Sequence, residues 1–163
     1  MSTLSGTTLA LPKLRPGLVP LALSFWAASA PEVREAKSRV LVIDDEVAIC
    51  ELLSLYLRKE GLEVGTVQTA VEGRTLVERG QFDLVILDWK LNGTEGLDLL
   101  HLSKTLHPEI PVIVFTGAEL DEGLLECGLA GGADAVVRKR GPLDTLSKAV
   151  FRHLGQRQCQ PID

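Results

Sequence analysis

Cysteine is scarce in this chain. Cys50, Cys127 and Cys159 are odd in number and share no metal-like spacing, which excludes a disulfide framework. They read as two small core residues and one tail thiol in a reducing compartment. Positive charge is also in deficit, with 17 Lys and Arg against 22 Asp and Glu, a formal net charge of −5. Residues 1–37 carry +2, so the remainder carries −7 and offers no basic patch to a phosphate backbone. Nucleic acid is therefore not expected among the partners. Long apolar runs are missing too. Gly17–Ala30 is 14 residues with Pro20 inside it, short of the roughly 20 needed to cross a bilayer as a helix. Neither GxxxxGK[ST] nor GxGxxG occurs, which removes the two common nucleotide-phosphate loops. His101, His107 and His153 have no metal-like spacing and read as surface residues. None sits in anything resembling a phosphodonor helix pair.

The first 37 residues form a separate stretch. Lys13 and Arg15 precede the apolar segment, and Ala28-Ser29-Ala30 resembles a secretory cleavage site. Pro31 directly after that site counts against cleavage. A docking segment, or a start codon set too far upstream, would also account for this composition. Residues 1–37, with Trp26, read as a mostly unstructured leader. The ordered domain is expected over 38–155, followed by a short tail, 156–163.

From Ser38 onward a cycle repeats. Val40–Ile43 is an aliphatic run ending in Asp44-Asp45-Glu46, the pattern of a strand buried on both faces. Ile49 to Leu57 follows at helical spacing, with Gly61 as its stop. The same reading gives strands at Leu62–Val67, Phe82–Leu87, Pro111–Phe115 and Ala133–Arg138. Helices are expected at Ala70–Arg79, Gly96–Leu106, Leu120–Leu129 and Leu143–Leu154. Alternating strands and helices with short connections imply an α/β fold, a parallel sheet covered on both faces through right-handed crossovers. Ligands of such sheets bind beyond the carboxyl ends of the strands.

Those ends carry Asp44 and Asp45, Asp88, Thr116 and Lys139. One Asp after a strand is commonly a helix cap, but the doubly wound topology would gather all five on one rim. Two carboxylates about 5 Å apart repel by roughly 3 kcal/mol at an effective dielectric near 20. Three such groups raise one another's pKa or call for a cation, and hard oxygen donors beside water favour Mg²⁺. Lys139 and Thr116 supply a positive charge and a donor for an added phosphoryl group. The set suits a carboxylate nucleophile that takes up phosphate.

Residues 38–155 resemble the receiver domain of bacterial two-component response regulators. The resemblance rests on VLVIDDE (Val40–Glu46), FDLVILDWKLNGTEGLDLL (Phe82–Leu100), IPVIVFTG (Ile110–Gly117) and GADAVVRK (Gly132–Lys139). The spacings of 43 from Asp45 to Asp88, 28 to Thr116 and 23 to Lys139 are close to the family's. The resemblance implies a flavodoxin-like, doubly wound five-stranded parallel sheet of order 2-1-3-4-5. It implies phosphorylation of Asp88 by a histidine kinase or histidine phosphotransfer protein. It also implies Mg²⁺ held by Asp44, Asp45, Asp88 and the backbone carbonyl of Lys90, with Thr116 and Lys139 on the phosphoryl group. The expected role is a cytoplasmic signalling module with a downstream protein target. It would be no enzyme beyond donor-driven self-phosphorylation and slow dephosphorylation. With nine residues after Leu154, the sequence reads as a stand-alone receiver, and a non-phosphorylated binding module is the alternative. A dehalogenase-type phosphatase would need an acid where Lys90 stands. Arg140 replaces the family's usual proline, Asn92 another, and Val136 stands where an aromatic switch residue is common. Val136 shifts the expected switch onto Thr116–Gly117 and the glycine-interrupted helix after it. Trp89 is expected beside the site, and Arg138, Arg140 and Lys148 on the family's usual contact face.

Overall fold

In the computed structural model the described residues are 37–91, 94–117, 126 and 128–158. Expectations for the leader with Trp26, for Asn92, for Cys127 and Cys159, for Gly123 and most of the 120–129 helix, and for tail residues 159–163 lie outside them. Of the 120–129 helix, residues 126, 128 and 129 are described and are helical.

The main sheet contains β1 (Arg39–Ile43), β2 (Glu63–Val67), β3 (Leu84–Leu87), β4 (Val112–Thr116) and β5 (Ala135–Arg138). All four pairings are parallel, as the strand pattern implied, and the spatial order is β2-β1-β3-β4-β5, the order implied by the resemblance to receiver domains. The helices are α1 (Val47–Lys59), α2 (Ala70–Arg79), α3 (Leu97–Leu106) and α4 (Leu143–Gln158). Side chains alternate along each central strand. Val40, Val42, Leu84, Ile86 and Ile113 join Leu53, Leu57, Leu146 and Val150 in one core layer. Leu41, Ile43, Val85, Leu87, Val112 and Val114 join Val77, Leu99 and Leu100 in the other. Unbroken aliphatic runs became central strands because both faces need apolar cover.

Local chemistry sets the ends. Thr69 caps α2, its hydroxyl accepting from the Glu72 amide at 3.2 Å and donating to the Glu72 carboxylate at 3.0 Å. Gly80 closes α2 at φ +59°, a left-handed position packed against the His107 imidazole. His107 and His153 are half-buried rather than on the surface, and only His101 is exposed. The His107 Nε2 is buried without a partner among the described residues.

Two features depart from the sequence reading. Helix α4 runs to Gln158, past Gly155, so residues 156–158 are helix and not tail; Gln and Arg are good helix formers, and one glycine does not stop a helix already docked on the sheet. The loop after Asp88 holds a two-stranded antiparallel ribbon, Lys90–Leu91 against Thr94–Glu95. Two-residue strands have too little pattern to be seen in a sequence.

Candidate functional site

The site lies at the carboxyl rim because the register puts it there. Ile43 pairs with Leu87, so Asp44 and Asp88 leave neighbouring strands at the same level. Backbone bonds fix both: the Asp44 amide donates to the Val67 carbonyl at 3.1 Å, and the Asp88 amide to the Ile43 carbonyl at 2.8 Å. Thr116 ends β4, and its carbonyl accepts from the Lys139 amide at 2.8 Å, which delivers Lys139 onto the same rim. Asp44, Asp88 and Thr116 are 1%, 6% and 1% exposed. Polar groups so deeply buried need partners.

Lys139 is that partner. Its Nζ lies 2.7 Å from Asp44 Oδ2, 3.0 Å from Asp88 Oδ2 and 2.8 Å from Glu46 Oε1. One ammonium thus serves three carboxylates. Burial alone would lower the lysine pKa, but hydrogen bonds to Asp44, Glu46 and Asp88 together outweigh it and hold it above the ordinary lysine range. Burial pushes both aspartates the other way, up from the usual carboxylate value, and the hydrogen bonds from Lys139 offset this only in part. Three negative charges against one positive leave the pocket short of cation.

The tight trio is Asp44, Glu46 and Asp88, one oxygen of each within 4.8 Å of the others. Sequence reasoning named Asp45 and passed over Glu46, although Glu46 completes the Asp44-Asp45-Glu46 run; its signal was adjacency alone. Asp45 is half-buried next to the trio, and its charge helps raise Asp88. The Glu46 amide donates to Asp44 Oδ1 at 3.0 Å, folding the β1–α1 turn so that Glu46 reaches Lys139. Lys90 gives a backbone hydrogen bond to the Asp88 carboxylate, lowering its pKa somewhat. Compact carboxylate oxygens with surplus negative charge fit a hard divalent cation such as Mg²⁺.

Around the pocket, Trp89 is 7% exposed and packs in the α2–α3 core layer, with Val136 half-buried against the same layer. A methyl group added at Gly128 would stand 3.2 Å from Val136 and 3.9 Å from Trp89. Cys50 is a buried core thiol whose Sγ donates to the Asp44 carbonyl at 3.2 Å. Arg138 and Arg140 are exposed, while Lys148 is paired with Asp144 at 2.6 Å, which reduces the basic feature expected there. Among the described residues no helix is long and apolar enough to cross a membrane.

Comparison with known proteins gives one family. Residues 40–151 match the response regulator receiver domain. The alginate biosynthesis transcriptional regulatory protein AlgB of Pseudomonas syringae is 34% identical over 124 residues, 76% of this chain and 28% of AlgB. The DNA-binding response regulator MtrA of Mycobacterium leprae is 31% identical over 127 residues, 78% of this chain and 56% of MtrA. The chain therefore spans about a quarter to a half of these relatives. Among solved structures, a CheY-like receiver domain protein from Methanospirillum hungatei aligns with a TM-score of 0.71 at 31% identity, over 76% of this chain and 98% of that one. The beryllofluoride-activated NtrC4 receiver domain dimer aligns with a TM-score of 0.67 at 25% identity, over 73% and 98%. The relatives correct one expectation. Nucleic acid was excluded as a partner on net charge, yet AlgB and MtrA carry the names of a transcriptional regulator and a DNA-binding regulator. Charge reports only on the residues that carry it, and the matched region is 28% of one relative and 56% of the other.

Proposed function

This chain belongs to the response regulator receiver domain family, and from that premise we propose that Asp88 accepts a phosphoryl group from a phosphohistidine donor in a two-component pathway. The observation that carries the reading is Lys139 Nζ within 3.0 Å of the buried Asp44 and Asp88 and the exposed Glu46 on one rim.

An Asp88 carboxylate oxygen attacks phosphorus, the new O–P bond forms as the donor's N–P bond breaks, and the electron pair returns to the imidazole nitrogen, which takes up a proton. The product is an acyl phosphate carrying a charge of about −2. Lys139 then exchanges one carboxylate for phosphoryl oxygens, and the Thr116 hydroxyl donates to another. Asp44, Asp45 and Asp88, with the Lys90 carbonyl, would hold Mg²⁺, which when bound neutralises charge developing on the phosphoryl oxygens. Glu46 steers the Lys139 ammonium. Only ionised Asp88 is a nucleophile, so uptake falls as pH drops through its raised pKa. The donor phosphate comes from ATP, which places the reaction in the cytoplasm. The relatives' names support gene regulation as the class of output.

Acetyl phosphate with Mg²⁺ should add one phosphoryl mass to the protein and quench Trp89 fluorescence. Asp88→Asn should abolish both. A parent chain that gained no mass, or an Asp88→Asn chain that still gained it, would sink the assignment, and the former would leave a binding-only module.

A further inference from the structure

At the opposite, amino-terminal rim the sheet carries a cavity of about 230 Å³ between β1, β2 and the C-terminal half of α2. Register explains it. Arg39 pairs with Glu63 and Leu41 with Gly65, and the period of two turns these four positions toward α2. Gly65 puts no side chain there, and a methyl group built on it would meet nothing within 4 Å. Farther along, α2 is seated tightly, because Gly73 lets the helix approach Ile43 so closely that an added methyl would stand 3.1 Å away. The helix thus closes on the sheet at one end and leaves a gap at the other, lined by Leu41, Leu76 and Phe82.

Arg39 and Arg79 line the same cavity and are exposed. Among the described residues neither guanidinium has an ion pair or side-chain hydrogen bond. Glu63 is the one acid in the lining. Among the lining side chains two guanidiniums stand against one carboxylate over an apolar floor, and the Asp83 carboxylate beside Arg39 accepts from the Arg39 amide at 2.7 Å. We propose that this cavity binds a small apolar carboxylate. Its ring or branched chain rests on Leu41, Leu76 and Phe82, and its carboxylate lies between Arg39 and Arg79, whose planar forks suit that group. The volume is below the roughly 300–1,000 Å³ of drug-sized sites, which selects a ligand of about a dozen non-hydrogen atoms.

The test titrates the full chain with 2-naphthoate and, in parallel, with 2-naphthylmethanol, which has the ring without the charge, following backbone amide NMR shifts. Naphthoate should give saturable shifts centred on Gly65, Leu76 and Phe82 with a Kd below about 1 mM, and the alcohol should bind at least ten-fold more weakly. Gly65→Val fills the cavity with a residue that strands favour and should abolish the shifts. Arg39→Gln with Arg79→Gln leaves the cavity open; it should weaken naphthoate at least ten-fold and leave the alcohol unchanged. Equal binding of the two probes, shifts scattered over the chain, undiminished binding in a folded Gly65→Val protein, or no saturable shift at all would each overturn the proposal. None of these readouts depends on phosphorylation of Asp88.

Discussion

At the level of single residues, the rim trades stability for readiness. Asp44 and Asp88 have pKa values raised above the unfolded carboxylate value of 3.8, chiefly by burial. A raised acid favours the fold fully below its unfolded pKa, and that contribution is lost as pH rises through the folded value. The site therefore costs stability at neutral pH. Asp88→Asn keeps the shape, removes one buried charge and leaves Lys139 with Asp44 and Glu46. It should stabilise the protein by about 1–2 kcal/mol at pH 7 and flatten the gain on acidification toward pH 4. Chemical denaturation at the two pH values reads this directly; a less stable variant at pH 7 would mean the Asp88–Lys139 pair outweighs the burial cost. Lys139→Ala works the other way. It strands Asp44 and Asp88 without their cation, a loss of roughly 3–5 kcal/mol at neutral pH that shrinks as the acids take up protons. A Lys139→Ala protein as stable as the parent at pH 7 would show that water, not the ammonium, satisfies the carboxylates.

At the level of elements, the entry into α3 is held against Asp88 and Trp89 by a close approach at Gly96 that no side chain permits. Gly96 has ordinary helical dihedrals, φ −62° and ψ −10°, so backbone freedom does not explain the glycine. Space does. Its amide donates to the Trp89 carbonyl at 2.6 Å, and a methyl group there would run into the Asp88 carbonyl oxygen. Because the obstacle is backbone, Gly96→Ala must push the loop away, at a cost of about 2 kcal/mol or more. It should also slow phosphate uptake from acetyl phosphate, since the displaced backbone carries Asp88 itself. Thermal melting and the mass-gain rate test the two halves separately; a Gly96→Ala chain that melted and reacted like the parent would show that the loop can relax freely.

At the level of the whole molecule, the expected switch has to run without a large aromatic side chain at Val136. Valine is stiff about its one torsion, half-buried, and packed beside Trp89 and Gly128. We expect the response to phosphorylation to centre on Thr116–Gly117 and on residues 128–132, where Gly128 weakens the helix by up to about 1 kcal/mol. Amide exchange with and without beryllofluoride should change most there; a change confined to β5 around Val136 would refute this. The sequence by itself determined a parallel sheet with a two-layered core, because aliphatic runs of four to six residues alternating with helices leave few topologies; the strand order followed from the resemblance to receiver domains. The sequence also determined that Asp44, Asp88, Thr116 and Lys139 share a rim, because each follows or ends a parallel strand. Only the tertiary structure decided that Glu46, more than Asp45, closes on Lys139, since that follows from the Glu46–Asp44 turn. Only the tertiary structure opened a cavity over Gly65, because its depth depends on where Gly73 seats α2. Periodicity fixes which face a side chain takes; distances between elements depend on packing, which no short stretch of sequence contains.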